Sequence, residues 1–376
     1  MKIAQMHSVV FRGDAVSNVM RALDQVHRDK KWESYLIADL FSEINDVPLL
    51  ASSDYDHTPF IQSFVYLLSR FLRLENKIKY LKIYFNSKKK YKPGLAKSII
   101  ESSDIRIWHF GAFYNLFKYF HEGDILFYHG VTYPYLSYFP ELNIYSKNML
   151  QAILDMKPFV IVQSNFIKQS LIDLGFKEES VYVLPLFHKY NLPYKKRNPK
   201  EPKLIAWGRY ALNKAIPELV KACNEYKLNI RIFGDNTQTK EFVDQYKEAL
   251  ANNTEGYAKL SGKVDDFEAE LENANIYICN SYHEGFNMPL IEAEAHSMPV
   301  LARRGTAMDE LVKDGYNGFL FDDISEIPDL VNRIMKDYDR FSRNAYEHSK
   351  NFTYERFKER YLNIIDEYKR YKNIKK

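Results

Sequence analysis

"NIYICNSYHEGFNMPLIEAEAHSMPVLAR", residues 275–303, reads as one strand–loop–helix–strand unit. "NIYICN" is a short apolar run of strand type, "PLIEAEAHS" starts a helix at a proline, and "MPVLAR" returns to strand. Two strands joined through a helix lie parallel in one sheet. The loop between strand and helix therefore sits at a strand's carboxyl end and a helix's amino end. Backbone N–H groups there lack helical partners and carry partial positive charge, ready for a phosphate. Asn287, Met288 and Leu290 are placed to offer such groups, and Gly285 lets the backbone come close. Glu284 lies in the loop, and Glu292, eight positions on, is expected in the first turn of the helix. A carboxylate accepts two hydroxyl protons at once, which suits the vicinal diols of a ribose or hexose. Spacing alone is a weak signal, since a glutamate near a helix start is also favourable for the dipole.

Working outward, the same alternation fills the chain. "LIAWGR", "LNIRIFGD" and "YAKLSGKV" read as strands separated by "KAIPELVKACNEY" and "TKEFVDQYKEALANN" as helices. The first half has strands at "KIAQMHSVV", "SYLIAD", "DIRIWHF", "DILFYHG" and "PFVIVQS". Residues 184–203, proline-containing and basic, read as a linker. The expected fold class is α/β, with two doubly wound Rossmann-like domains and a cleft between them. Residues 1–186 form the first domain and 187–353 the second, with the long polar helix 354–376 expected to complete the first.

The bulk properties narrow the function. A net charge of +4 over 376 residues is too mild for a dedicated nucleic-acid binder. Cys223 and Cys279 are too few for a disulfide framework or a zinc site, and Cys279 in its apolar run reads as a small buried hydrophobe. The amino-terminal stretch is interrupted by Gln5, His7 and Arg12, unlike a secretory signal, and no run is long enough to span a bilayer. The expected location is the cytoplasm, or the cytoplasmic face of a membrane. No G-x-G-x-x-G follows the first strand and no G-x4-G-K-[ST] occurs, which disfavours dinucleotide dehydrogenases and Walker-type nucleotidases.

"EGFNMPLIEAEAHSMPVLA" resembles, almost position by position, the E-x7-E signature "EGFGLPxxEAMAxGxPVxA" of retaining nucleotide-sugar glycosyltransferases of family 4. Asn287 replaces one glycine of that pattern and Ser297 another; asparagine tolerates unusual backbone angles. The resemblance implies the GT-B fold. It gives Glu284 the donor sugar ring and Glu292 the ribose hydroxyls. "LIAWGRYALNK" resembles the family's "GRxxxxK" element, which implies that Arg209 and Lys214 hold the donor diphosphate. A guanidinium fork and a mobile ammonium also suit a leaving diphosphate on physical grounds. "GKVDDFEAELENANIYICNSYHEG" matches a further element in which the backbone around Gly262–Val264 meets the nucleobase. By the same resemblance Phe286, Asn287, Met288 and Leu290 line the donor site. The donor is expected to be UDP- or GDP-linked, with no cofactor and no metal. Family members are thought to react by front-face substitution, so no general base is assigned.

The match is strong in the second domain and weaker in the first. "FRGDAVSN" occupies the loop after strand one, where Gly13 permits close approach to a phosphate or acceptor and Asp14 is a candidate acceptor contact. "DIRIWHFGA" and "DILFYHGVT" each end a strand with a histidine. Relatives carry a histidine near the reacting sugar, which implies His109 first and His129 second. "VIVQSNFIKQSLIDLGF" also resembles the family's segment before the linker. "DYD" at 54–56 and 337–339 follows no recognisable buried strand and is discounted as a metal-holding D-x-D.

The expected activity is transfer of a hexose-type sugar to a saccharide or lipid-linked saccharide in surface polysaccharide or glycolipid synthesis. Alternatives are a sucrose- or trehalose-type synthase or phosphorylase of the same fold, and a non-catalytic nucleotide-sugar-binding scaffold. Residues 60–97 mix aromatic and aliphatic side chains with many Lys and Arg against Glu75 alone. Such a surface suits anionic lipid headgroups, at about 1 kcal/mol per basic residue, and equally suits a helix with a solvated lysine face.

Overall fold

The computed structural model describes residues 1–10, 15–42, 95–109, 119–130, 151, 153–208, 210–234, 256–262, 264 and 266–373. Gly13, Asp14, Arg209, the triplet 54–56 and all but the last residues of the basic segment 60–97 lie outside them. The chain groups into two units. The first comprises Met1–Gln163, Lys168–Leu184 and Arg360–Lys376; the second comprises Ser164–Ile167 and Pro185–Glu359.

The first unit holds a parallel six-stranded sheet. Its strands are β1 (Lys2–Val10), β2 (Glu33–Ser42), β3 (Ile105–His109), β4 (Ile125–Phe127), β5 (Phe159–Val162) and β6 (Val181–Val183), in the order β2-β1-β3-β4-β5-β6. Helices α1 (Ala15–Asp29), α2 (Leu95–Glu101) and α3 (Asn165–Asp173) alternate with them, α3 beginning in the second unit and ending in the first. "FVIV" in β5 is buried at every position, as expected of a strand covered on both faces.

The second sheet comprises β7 (Leu204–Trp207), β8 (Ile230–Phe233), β9 (Ala258–Gly262), β10 (Ile276–Cys279), β11 (Val300–Arg303) and β12 (Gly318–Phe321), parallel in the order β12-β11-β10-β7-β8-β9. Its helices are α4 (Ile216–Glu225), α5 (Phe267–Asn273), α6 (Met288–Ala295), α7 (Met308–Leu311), α8 (Ile327–Lys336) and α9 (Tyr338–Ser349). Alternate residues of each strand face opposite sides, so the sheet divides the core in two. Leu204, Ile230, Ile276 and Leu301 pack with Leu219 and Cys223 of α4 and Val331 of α8. Ile205, Tyr277 and Val300 pack with Leu290 and Ile291 of α6 on the other side. The resulting strands are short apolar runs with little alternation, which is what the sequence carries.

The last helix, α10 (Tyr354–Tyr371), is polar outside with buried Tyr361, Ile365 and Tyr368. Tyr361 meets the His27 ring of α1 at 2.6 Å, and Tyr368 lies edge-on to Phe159 of β5. Its carboxyl-terminal half is thus part of the first unit's core. Among the described residues no helix is long and apolar enough to cross a membrane. The second "DYD" triplet sits at the start of α9, where Asp337 pairs with Arg340 and Asp339 accepts from the Tyr194 hydroxyl on the surface.

Candidate active site

Strand order reverses direction once in the second sheet, between β7 and β10. The usual ligand position in doubly wound sheets is at such a reversal, beyond the carboxyl ends of the two strands. The loop after β7 runs through Gly208 to Lys214; the loop after β10 runs from Asn280 to Asn287. Backbone bonds tie them together: the Tyr282 amide donates to the Asn213 carbonyl (2.8 Å), and Asn213 Nδ2 donates to the His283 carbonyl (2.9 Å). Asn280 Nδ2 donates to the Ala215 carbonyl (3.0 Å), while Asn280 Oδ1 accepts from Arg303 of β11 (3.0 Å).

This stitching brings Lys214 and Glu284 into a direct ion pair. Glu284 is 8% exposed and also accepts from the Ser281 hydroxyl at 2.9 Å. Lys214 is followed by Ala215 in a left-handed conformation (φ 46°) at the start of α4. That conformation costs a non-glycine residue about 1 kcal/mol, so strain sits directly beside the cation.

Gly208 has φ +145°, and a Cβ built there would meet Lys214 Cε at 4.0 Å. Gly234, at the end of β8, is tighter still. Its Cβ would lie 2.0 Å from the Gly208 carbonyl oxygen and 2.7 Å from the Tyr210 ring. Tyr210 donates to the Ile232 carbonyl (3.0 Å) and accepts from the Gly262 amide (3.2 Å), so three strand ends meet around one hydroxyl. Gly234→Ala is therefore expected to cost about 2 kcal/mol or more of stability and to displace the Gly208–Lys214 turn. Chemical denaturation and nucleotide titration of that variant check it; wild-type values in both would show the turn tolerates the methyl.

Helix α6 departs from the sequence expectation in three details. It starts at Met288, with Pro289 in its second position and Glu292 beginning its second turn rather than lying in its first. Asn287 does not use the backbone freedom that a glycine replacement suggests: its φ is −121°, and it serves as the helix N-cap. Its side-chain oxygen accepts from the Leu290 amide (3.0 Å) and from the Tyr277 hydroxyl (3.1 Å). The Leu290 N–H expected to be open for a phosphate is therefore already taken. The other replaced glycine does need its unusual angle, since Ser297 has φ 60°, and its hydroxyl accepts from the Lys195 amide (3.2 Å). Cys279 is buried as expected, and it also accepts from Asn287 Nδ2 at 3.0 Å.

Glu292 faces the α6 side of the sheet. The Trp207 indole N–H donates to its Oε2 at 3.3 Å. Burial pushes its carboxyl up to about 7, opposed by the Trp207 bond and Lys189 and reinforced by Glu268. Val264 and Phe286 are half-buried beside the same core, and Phe286 lies edge-on to Phe352. The second unit thus gathers Lys214 and Glu284 in contact and places Glu292 in the adjoining helix.

In the first sheet the order reverses between β1 and β3, and histidines mark that end. His109 closes β3 and His129 follows β4. His109 Nε2 lies 3.1 Å from Gln5 Oε1, its Nδ1 2.8 Å from His129 Nε2, and His129 Nδ1 3.3 Å from Gln163 Nε2. Gln5 Nε2 donates to the Met20 carbonyl and Gln163 Nε2 to the Tyr128 carbonyl, which fixes both amides. The network assigns the tautomers: His109 donates from Nε2 and accepts at Nδ1 from His129. Burial holds both rings neutral, pushing His109 well below the ordinary imidazole range and His129 to about 3. His109 is 1% exposed and His129 is partly exposed, and the network engages both nitrogens of each ring.

Residues 192–351 match the family model for glycosyl transferases group 1. The matched residues lie within the second unit. An uncharacterized glycosyltransferase of Methanocaldococcus jannaschii is 28% identical over 159 residues, 40% of this chain and 43% of that protein. The capsular polysaccharide biosynthesis glycosyltransferase CapM of Staphylococcus aureus is 24% identical over 223 residues, 55% of this chain and 57% of that one. The chain spans about half the length of these curated relatives. Among solved structures, Anabaena HepE in complex with UDP and glucose superposes with a TM-score of 0.64 at 15% identity, covering 98% of this chain and 100% of that one. That likeness shows the fold, two parallel six-stranded sheets of the GT-B class. The loops carrying Lys214 and Glu284 both fall inside the matched residues.

The sequence singled out Lys214, Glu284 and Glu292 because their chemistry lies in the side chain. It missed Gly234, whose role is the space it leaves, and Trp207, whose partner lies 85 positions away. A tryptophan directly before Gly208-Arg209 was the available signal.

Proposed function

We propose that the chain is a retaining, metal-independent glycosyltransferase of family 4. It moves a hexose-type sugar from a UDP- or GDP-linked donor to a saccharide or lipid-linked saccharide acceptor, on the cytoplasmic face of a membrane, in surface polysaccharide or glycolipid synthesis. The observation that carries this reading is the Lys214–Glu284 pair at the switch point between β7 and β10, with Glu292 in the helix beside it. A cation paired with one carboxylate, with a helix amino end and a second carboxylate beside them, suits a diphosphate carrying a sugar at each end. The capsule-synthesis relative supports the polysaccharide setting, and the UDP- and glucose-bound neighbour supports a UDP-hexose donor.

In this mechanism Arg209, Lys214 and the amino end of α6 stabilise charge growing on the diphosphate as the bond from sugar C1 to phosphate oxygen breaks. Glu284 holds the sugar by its hydroxyls, and Glu292 holds the ribose. The acceptor oxygen bonds to C1 on the face being vacated, and its proton passes to the departing phosphate oxygen. On this reading His109 acts on a sugar hydroxyl, Gly13 serves the donor, and Asp14 and His129 serve the acceptor. Residues 60–97 supply the contact with anionic lipid.

Glu292 also gives the reading a pH signature. Only the ionised carboxylate accepts both ribose hydroxyls, so donor affinity is expected to fall as pH drops through about 7. Its folded-state value is raised above the unfolded one, so ionising it opposes folding above pH 7 and not at pH 4. Glu292→Gln should therefore melt at a higher temperature than wild type at pH 8, match it at pH 4, and lose the thermal shift given by a nucleotide sugar. A panel of UDP- and GDP-sugars on both proteins checks this, and an undiminished shift in the variant would refute the ribose role.

A further inference from the structure

Trp207 ends β7, the central strand at the switch point, and faces the α6 side of the sheet. Its indole makes three directed contacts. It lies edge-on to Tyr277 of β10 (4.7 Å, 69°) and to Phe267 of α5 (5.3 Å, 67°), and its N–H donates to Glu292. Tyr277 in turn donates to Asn287, the residue that caps α6. One ring is therefore braced against the tyrosine that anchors the start of the helix, while it grips a carboxylate in that helix's second turn. A purely apolar residue would pack here equally well; what indole adds is a donor that cannot lose its proton or accept a bond.

We propose that Trp207 is a positioning residue for Glu292: it holds the carboxylate ionised and aimed at the ligand by coupling it to the Tyr277–Asn287 anchor of α6. This rests on the donor-site reading above and names the group that makes Glu292 competent. The carboxylate is otherwise poorly served. Lys189 is its favourable charge, Glu268 of α5 opposes it, and the hydroxyls of Tyr190 and Tyr277 donate to Glu268 and Asn287 instead. Deleting a neutral donor to a carboxylate raises the carboxyl's pKa by about one unit.

The test compares wild type, Trp207→Phe and Glu292→Gln. Phenylalanine keeps the edge contacts and removes only the N–H. Glutamate-labelled protein gives the titration of Glu292 by carbon NMR, the Glu292→Gln spectrum identifying its signal. In Trp207→Phe the midpoint is expected to rise by about one unit. Calorimetric titration with UDP and GDP gives the second readout. At pH 7 the better-binding nucleotide should bind Trp207→Phe about fivefold more weakly than wild type, and at pH 9 the gap should close, because both carboxylates are then ionised. A packing defect would weaken binding equally at both values. An unmoved midpoint, or a deficit independent of pH, overturns the proposal. If Glu292→Gln binds the nucleotide as wild type does, the ribose role is lost instead, and the NMR midpoint still decides whether Trp207 governs Glu292.

Discussion

Glu284→Gln is expected to lower sugar transfer by about a hundredfold or more while nucleotide diphosphate binding stays within a few-fold of wild type. Glu284 is nearly buried, pairs with Lys214 and accepts from Ser281, so its carboxylate is held in one place before any ligand arrives. Glutamine keeps the shape but offers one acceptor oxygen and no charge, so a sugar ring is gripped less firmly and a cationic transition state less stabilised. Diphosphate binding is spared because Lys214 no longer has to leave a carboxylate to meet the phosphates. Steady-state kinetics with the donor found in the panel, together with nucleotide titration, separates the two effects. Transfer within tenfold of wild type would place Glu284 outside the donor-sugar site.

Lys214→Ala is expected to be as damaging, for a different reason. The cation is lost from the diphosphate, lowering kcat/KM by about two to three orders of magnitude. Glu284 is also left buried without its partner, which costs about 1–3 kcal/mol of stability. The double variant Lys214→Met/Glu284→Gln removes both charges together. It should recover much of the lost stability, since a buried pair can be replaced by neutral groups at small cost, and recover none of the activity. A double variant as unstable as Lys214→Ala would show that the ion pair itself, and not the stranded carboxylate, dominates.

The architecture could be read from the chain because both sheets are buried on two faces. Runs such as "FVIV" and "IYIC" are continuous apolar segments separated by helices, a pattern few other folds produce. Glu284, Glu292 and Lys214 were legible because the chemistry they offer belongs to each residue alone. What the residue string hid was relational. The strand order brings His109 and His129 side by side, and only their mutual bond and its flanking glutamines show which tautomer each ring holds. Asn287 in place of glycine looked like a backbone device and is a helix cap, because the position needs an acceptor for Leu290 and not a left-handed turn. Ser297 does carry the left-handed angle, two positions beyond α6. Gly234 matters through a Cβ it lacks, which no motif records.

If the proposed donor site is right, the contact between Lys214 and Glu284 makes the resting site its own competitor. A spent carrier that draws the ammonium to its phosphates leaves an anion stranded in low dielectric, and nothing on that carrier can answer it. A loaded carrier brings hydroxyls that can. On that reading, discrimination between the two rests on a single pair of side chains, and it favours departure of the nucleotide once its sugar has gone.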